Sequence, residues 1–323
     1  MIALDNGFEE VVGIVADVEA SAARLMAATG YVEIARGAVD AGALALLGMA
    51  GRPAREVLIG HRDVARGRIR LIALDGEAAP LARDGAQAWD TGGIFDINLR
   101  ALGGNAPIER LHRRLGDAGY LAHAPITDWD FGPLAVREVV ESDADGLCIA
   151  LMERVRPPLA GYEGVSGPAS WVFNSTQVVA DFDAARRFYR DVLGWLPVQE
   201  TEGPVAQASG VNCMGLPVGL AAGLTMRIGI YHPAGRMEGS VEIIGFGMKT
   251  LDFSASQPPM RGWASLRFPM SDIDGFAQKA REAGCAIIGP IEAEWRPHGR
   301  TRAVAAITPW GARVEAFEMQ AGA

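Results

Sequence analysis

The 323-residue chain holds only three cysteines and five histidines. Cys148, Cys213 and Cys285 are isolated and odd in number, which excludes a disulfide framework and a paired-cysteine metal knuckle. Cys148 lies in an apolar run and Cys285 follows a helix-ending glycine, so both read as core. Cys213, in SGVNCMG, is placed to line a pocket, but no histidine neighbours it in sequence to act as base. No run of about 18 apolar residues occurs. The opening MIALDNGFEE is acidic where a secretory leader is basic, so a cytoplasmic protein without a membrane partner is expected. Lysine and arginine (30) are outnumbered by aspartate and glutamate (39), for a net charge of −9 and a pI near 5.2. Nucleic acid is therefore not the expected partner, because phosphate binding needs clustered cations. A phosphate loop, a dinucleotide fingerprint and a nucleophile elbow are all missing.

What the chain has is a repeat. DVEASAARLMAATG begins at Asp17, DFDAARRFYRDVLG at Asp181 and DIDGFAQKAREAGC at Asp272, with NAPIERLHRRLGDAG from Asn105 as a looser copy. Each follows a short apolar run, opens at or near a helix-capping residue, carries apolar residues at helical spacing and stops at a glycine. Strand-like segments come next: YVEIARG, AREVLIGH and RIRLIALD in the first copy, WLPVQETE, TMRIGIYH and SVEIIGFG in the third. A βαβββ module used four times is predicted. Modules of this size cannot bury their apolar faces alone, so copies must pair. Modules two and four share another ending, DADGLCIALME from Asp143 and TPWGARVEAFE from Thr308, with Gly146 and Gly311 at matching turns. RPPLAGYEGVSGPAS, from Arg156, has the composition of a linker. The predicted division is a paired-module domain over 1–157 and a second over 168–321, with the boundary near 160. Asp40–Gly51 and Gln207–Gly223 stand at corresponding places, as short segments that pack on or shape each barrel mouth.

FNSTQVVADFDAARRFYRDVLGW (Phe173 to Trp195), DADGLCIALME and SVEIIG (Ser240 to Gly245) resemble the vicinal oxygen chelate superfamily, the glyoxalase, bleomycin-resistance and extradiol-dioxygenase group. The resemblance implies an α+β fold of tandem βαβββ modules, paired into two curled, incomplete antiparallel barrels whose concave faces hold the sites. Such a fold hosts isomerases, lyases, dioxygenases and plain binding proteins, so it specifies no reaction.

In the metal-using members of that superfamily, ligands come from the first strand, seven residues before the helix-starting Asp, and from the last strand of each module. Strand alternation sends both to the concave face. The first-strand positions fall on Glu10, Asp96, Asn174 and Ser265; the last-strand positions fall on Arg70, Ala150, Glu242 and Glu315. The N-terminal barrel thus receives Glu10, Arg70, Asp96 and Ala150. An arginine in the cluster and an alanine at a ligand position disfavour a divalent cation there, so this barrel is expected to be structural, with Arg70 paired to Asp96 or Glu10. The C-terminal barrel receives Asn174, Glu242, Ser265 and Glu315. Glu242 and Glu315 are the expected catalytic pair, with Asn174 and Ser265 as substrate-binding groups. A one-residue slip in register makes the same glutamates rim residues, and the amide and hydroxyl also read as satisfied barrel polars.

None of His61, His112, His123, His232 and His298 occupies a ligand position, which argues against a two-histidine iron dioxygenase. A divalent metal stays open as a cofactor although the full ligand set is missing; oxygen ligation by Glu242, Glu315 and Asn174 suits magnesium or manganese. His298, in EWRPHGRTRA, is expected at the rim as a catalytic proton carrier, and His232 is a second candidate; both also read as loop histidines. His61, His112 and His123 read as surface residues or caps. Trp171, Trp195, Trp263, Trp295 and Trp310, with Met214, Met226, Met248, Met260 and Met270, give the C-terminal half soft and aromatic surface for an apolar or aromatic small molecule, though most serve the core.

The expected function is carboxylate-mediated proton transfer on an apolar or aromatic carbonyl compound, as an isomerase or lyase. The alternative is a non-catalytic binding or sequestering protein of the same fold. A small-molecule ligand is the expected partner, and a monomer or homodimer the expected state.

Overall fold

Asp17 ends one strand and starts one helix by accepting the backbone N–H groups of Glu19 and Ala20, both at 3.0 Å. Asp181 does the same for Ala184 and Asp272 for Gly275. The looser copy differs: its helix begins with Pro107 after Ala106, and no side chain caps it. In the computed structural model, which describes residues 7–130, 132–206 and 209–318, each repeat is a strand, a helix and further strands. Module one runs β1 (Glu10–Ile14), α1 (Val18–Thr29), β2 (Val32–Ala38), α2 (Ala41–Leu46), β3 (Ala54–Gly60) and β4 (Arg68–Leu74). Module two runs β5 (Asp96–Arg100), α3 (Pro107–Asp117), β6 (Leu121–Ala122), β7 (Thr127–Asp130), β8 (Ala135–Ser142) and β9 (Cys148–Arg156). Module three has β10 (Asn174–Val178), α4 (Phe182–Arg187) with a π-helical turn over Phe188–Val192, β11 (Leu196–Pro204), α5 (Val218–Ala221), β12 (Thr225–His232) and β13 (Ser240–Gly245). Module four has β14 (Gly262–Met270), α6 (Ile273–Glu282), β15 (Ala286–Trp295), β16 (Gly299–Ile307) and β17 (Arg313–Glu318).

These strands form two mixed, curled sheets of the expected α+β type, but the modules pair in nested order. One sheet has the order β15-β16-β17-β14-β1-β4-β3-β2, joining modules four and one. The other has the order β11-β12-β13-β10-β5-β9-β8-β6, with β7 beside β8, joining modules three and two. The expected division into barrels over 1–157 and 168–321 is therefore corrected: β1 lies antiparallel to β14 and β5 to β10, so each sheet takes strands from both halves. The segment near 160 does lack strands and helices, but it connects modules within one sheet. The crossings between sheets are 75–95 and 246–261, which run side by side through bridges at Leu81 with Arg261 and Thr91 with Asp252. Ser254 threads between Gly92 and Gly311. A Cβ on either glycine would meet its backbone at 2.3 Å, and both glycines have positive φ, 107° and 79°.

Alternation along the strands sorts side chains into two populations. Val11, Ile69, Ile97, Ile149, Val241 and Leu266 join the four long helices in one shared core. Their neighbours Glu10, Arg70, Asp96, Ala150, Glu242 and Ser265 take the opposite, concave faces. Among the described residues no helix is long and apolar enough to cross a membrane.

Candidate active site

The outer-module sheet, from modules one and four, has a concave face mostly filled by side chains, with a small pocket of about 260 Å³, part of it open to solvent, between Glu10, Arg267, Trp295, His298 and Glu315. Arg70 is fully buried and grips Glu10 with two hydrogen bonds of 2.8 and 2.9 Å, while its third nitrogen donates to Glu56 at 2.8 Å. Arg267 donates to Glu315 at 2.6 Å, lies 3.3 Å from Glu10, and rests on Trp295 with its guanidinium 3.5 Å from the ring centre. Burial works to raise the Glu10 carboxyl, but Arg70, His298 and Arg267 outweigh it and hold the group well below the usual carboxylate range. Leu44, Leu46 and Leu47, in and just after α2, plug the other end of this face, anchored where Arg313 donates to the Leu46 carbonyl at 2.8 Å.

The inner-module sheet, from modules two and three, encloses a cavity of about 1030 Å³, part of it open to solvent. The segment matching the plug forms only the four-residue α5, whose Val218 and Leu220 are 57% and 43% exposed instead of filling the cup. Residues 207 and 208, which begin that segment in sequence, lie outside the described residues. Thr176 pairs across the sheet with Asp96 on one side and Glu242 on the other. The next row is Asn98, Asn174 and Ser240. The Asn98 amide donates to Asp96, Asn174 and Thr176, each at 3.0 Å, and Asn174 donates to Ser240 at 2.7 Å.

Three carboxyls face this cavity. Burial pushes Asp96 up to about 7, against hydrogen bonding from Thr176, and Glu138 adds to the rise. Burial pushes Glu242 up to about 8, reinforced by Asp96 and Glu138. Glu138 is raised by burial too, and accepts the Cys213 thiol at 3.3 Å. That thiol is pushed up strongly by its own burial, which leaves it a hydrogen-bond donor rather than a nucleophile. Among the described residues no side chain hydrogen-bonds to Glu242, whose carboxyl is free to meet a ligand.

The structure thus brings Asn174 and Glu242 together, as expected from their register, but adds Asp96, which belongs to the half expected to be structural. Glu315 does not join Glu242; it is in the filled sheet, paired with Arg267. Ser265 is also in that sheet, opposite Val12, with its hydroxyl buried and unpartnered. His298 stands 3.3 Å from Glu10 and 3.5 Å from Glu9, away from Glu242's cavity. The expected pairing of Arg70 with Glu10 is observed. His232 is fully buried and pushed down to about 4 by desolvation and by Arg236 and Arg66, so it is not a rim proton carrier. His61, expected at the surface, is 5% exposed and hydrogen-bonded to the Ser166 carbonyl. Glu138 escaped the sequence reading although Val136, Glu138 and Val140 place one charge in an apolar stripe of period two. Met214 and Met226 face the cavity as expected, joined by Met152, Met237 and Trp129; Trp195 and Trp263 belong to the shared core.

The proposed oxygen ligands Glu242, Glu315 and Asn174 are split between the two sheets. Around the cavity, Ala150 offers no donor atom and the Asn98 amide already occupies Asp96 and Asn174. No group of three or more His, Cys, Asp or Glu side chains converges as a ligand set among the described residues. These residues do not fit a divalent ion.

The Glyoxalase/Bleomycin resistance protein/Dioxygenase superfamily model matches residues 171–316. Among solved structures, glyoxalase I from Zea mays is similar with a TM-score of 0.63 at 12% identity, over 97% of this chain and 92% of that one. A proposed dioxygenase from Bacillus subtilis subsp. subtilis str. 168 is similar with a TM-score of 0.57 at 12% identity, over 98% and 86%. No curated protein sequence matches. At these identities the structures speak for the fold alone, and the sequence model places residues 171–316 in the Glyoxalase/Bleomycin resistance protein/Dioxygenase superfamily.

Proposed function

We propose that the inner-module cavity is the functional site, and that it transfers a proton on an apolar or aromatic carbonyl compound, as an isomerase or lyase. The observation that carries this is the unpartnered Glu242 carboxyl, raised to about 8, facing the same apolar cavity as an Asp96 raised to about 7. Two acids in that range exchange protons readily near neutral pH. Their backbones lie two strand spacings apart, roughly 10 Å, which leaves room for a small substrate above Thr176. In the working state Asp96 is ionised and takes the proton beside the carbonyl, its orientation fixed by Asn98. Protonated Glu242 faces the carbonyl oxygen and supplies the proton that neutralises the enolate charge. Met214, Met226 and Trp129 restrict water around the reacting atoms.

Deuterium incorporation in D₂O, followed by NMR over a panel of aromatic ketones and aldehydes with α-protons, tests this. The wild-type chain is expected to exchange one or more members, with Glu242→Gln and Asp96→Asn each slower by about 10² or more. The second reading, a binding protein, is favoured by the adaptable lining of Met152, Met214, Met226 and Met237. Tight binding of panel members with no exchange would select it.

A further inference from the structure

β5 presents Asp96, Asn98 and Arg100 on one face, and the neighbouring β9 presents Ala150, Met152 and Arg154 beside them. The inner-module cavity therefore has Asp96 and Glu242 at one end and, about 13 Å further along the strand, the two arginines. Glu138, on β8, pairs with Met152 beside Arg100, but its carboxyl is engaged by the Cys213 thiol. Both arginines line the cavity. Arg100 is 3% exposed and its Nη1 is buried with no hydrogen-bond partner. The guanidinium is clamped by aromatic rings, 3.9 Å from the centre of Phe173 and 5.5 Å from that of Tyr162, and its Nε donates to the Tyr162 hydroxyl at 3.2 Å. Arg154 has a buried, unpartnered Nε. Neither arginine makes an ion pair with a carboxylate among the described residues. Glu238 is reached only through the Tyr162 hydroxyl, which donates to it at 3.0 Å.

In the outer-module sheet the two guanidinium groups beside Glu10 are neutralised, Arg70 by Glu10 and Glu56 and Arg267 by Glu10 and Glu315, while Arg313 donates to the Leu46 carbonyl and the Gln257 amide oxygen. Arg100 Nη1 and Arg154 Nε have neither kind of partner. A buried charge without a counter-ion is costly, and two neighbouring cations repel each other. The cavity acids do not cancel them: Asp96 is four residues along the strand from Arg100, both Glu138 and Glu242 are pushed toward their protonated forms, and none of the three makes an ion pair with either guanidinium. Phe173 and Tyr162 hold Arg100 in place ahead of any ligand, which is how a recognition group is prepared.

We propose that Arg100 and Arg154 form an anion subsite, and that the ligand of this cavity is an amphipathic monoanion: an apolar or aromatic body whose carboxylate, or an oxyanion of the same geometry, binds the two guanidinium groups. The inference rests on the reading of this cavity as the ligand site and adds the charge and polarity of the molecule. Bound this way, the anionic group lies at the arginine end and the apolar body crosses the methionine-lined middle. The reacting carbon is delivered beside Asp96 and Glu242.

The test compares 4-phenylbutyrate with its uncharged amide, by calorimetric titration of the full chain at pH 7. The carboxylate is expected to bind about tenfold tighter or more, the worth of a charge-assisted hydrogen-bond pair. Arg154→Met is expected to abolish that preference, weakening carboxylate binding about tenfold or more and amide binding far less. Arg100→Met should do the same, but its ring contacts make misfolding a risk, so Arg154→Met carries the decision. Glu242→Gln should keep the preference. Equal binding of acid and amide to the wild type, or a preference that survives Arg154→Met, overturns the subsite while leaving the cavity as the ligand site. Binding of neither probe overturns the subsite together with the cavity assignment. Carboxylate preference without proton exchange on any carbonyl substrate keeps the subsite and removes the enzyme reading.

Discussion

Asp96 and Glu242 flank Thr176 from the two strands that border it, so two carboxyls from different modules face one cavity across a single residue. Their shifts share a first cause, burial; Glu138 adds to the rise of both, and Asp96 adds to that of Glu242.

Proton transfer that needs Asp96 ionised and Glu242 protonated should show a bell-shaped dependence of kcat/KM, rising through about pH 7 and falling through about pH 8. In Glu242→Gln the alkaline limb should vanish from the residual rate. A flat profile between pH 6 and 9, measured on any exchanged substrate, contradicts the assignment.

The same shift has a consequence for stability. Glu242 has a folded value near 8 against a usual 4.5, so the folded state holds this proton between those values while the unfolded chain releases it. Stability from the protonated group is complete below about 4.5 and is lost as pH rises through 8. Glu242→Gln, which cannot ionise, should therefore gain Tm relative to the wild type as pH increases from 5 to 9. A constant Tm difference across that range would show the carboxyl to be well solvated.

Arg70→Met leaves Glu10 and Glu56 buried without their main cation. Breaking such a network by removing one partner costs about 3–5 kcal/mol. Denaturant unfolding should show a loss of that size, while proton exchange per folded molecule stays near wild type because Arg70 lies in the filled sheet. Loss of exchange in a fully folded Arg70→Met protein would give that sheet a chemical role.

Because the sheets are nested, a chain cut near residue 160 supplies half of each sheet from each fragment. Co-expressed, residues 1–160 and 161–323 should elute as one 1:1 complex, and either alone should aggregate through the unpaired edges of its first strands. Two separately stable, monomeric fragments would contradict the pairing of β1 with β14.

Much of this was written in local chemistry. Asp17, Asp181 and Asp272 announce their helices because a capping carboxylate acts within three residues, and alternation around Glu10, Asn174 and Glu242 gives the correct face because pleating is local. Module pairing was not legible. The first strands are similar apolar segments, and either arrangement satisfies their hydrogen bonds, so the choice rests on contacts such as Gly92 and Gly311 around Ser254 that no single segment reveals. The same ambiguity reaches the site: Glu315 shares a half of the sequence with Glu242 but not a sheet, whereas Asp96 shares the sheet with Glu242 but not the half. Arg267, which neutralises Glu315, lies two residues beyond the ligand position at Ser265, where the register count does not look.

The meeting of β1 with β14 also sets a clock on synthesis. Val12 pairs with Ser265, on the order of 250 residues later in the chain. At about 5–20 residues per second, the ribosome takes roughly ten to fifty seconds to deliver the partner strand. The inner-module sheet, whose strands all lie between Asp96 and Gly245, has its complete set of strands earlier. The nascent first module must wait meanwhile with an apolar edge exposed, and that interval is when this protein is most open to capture by chaperones or by another copy of itself.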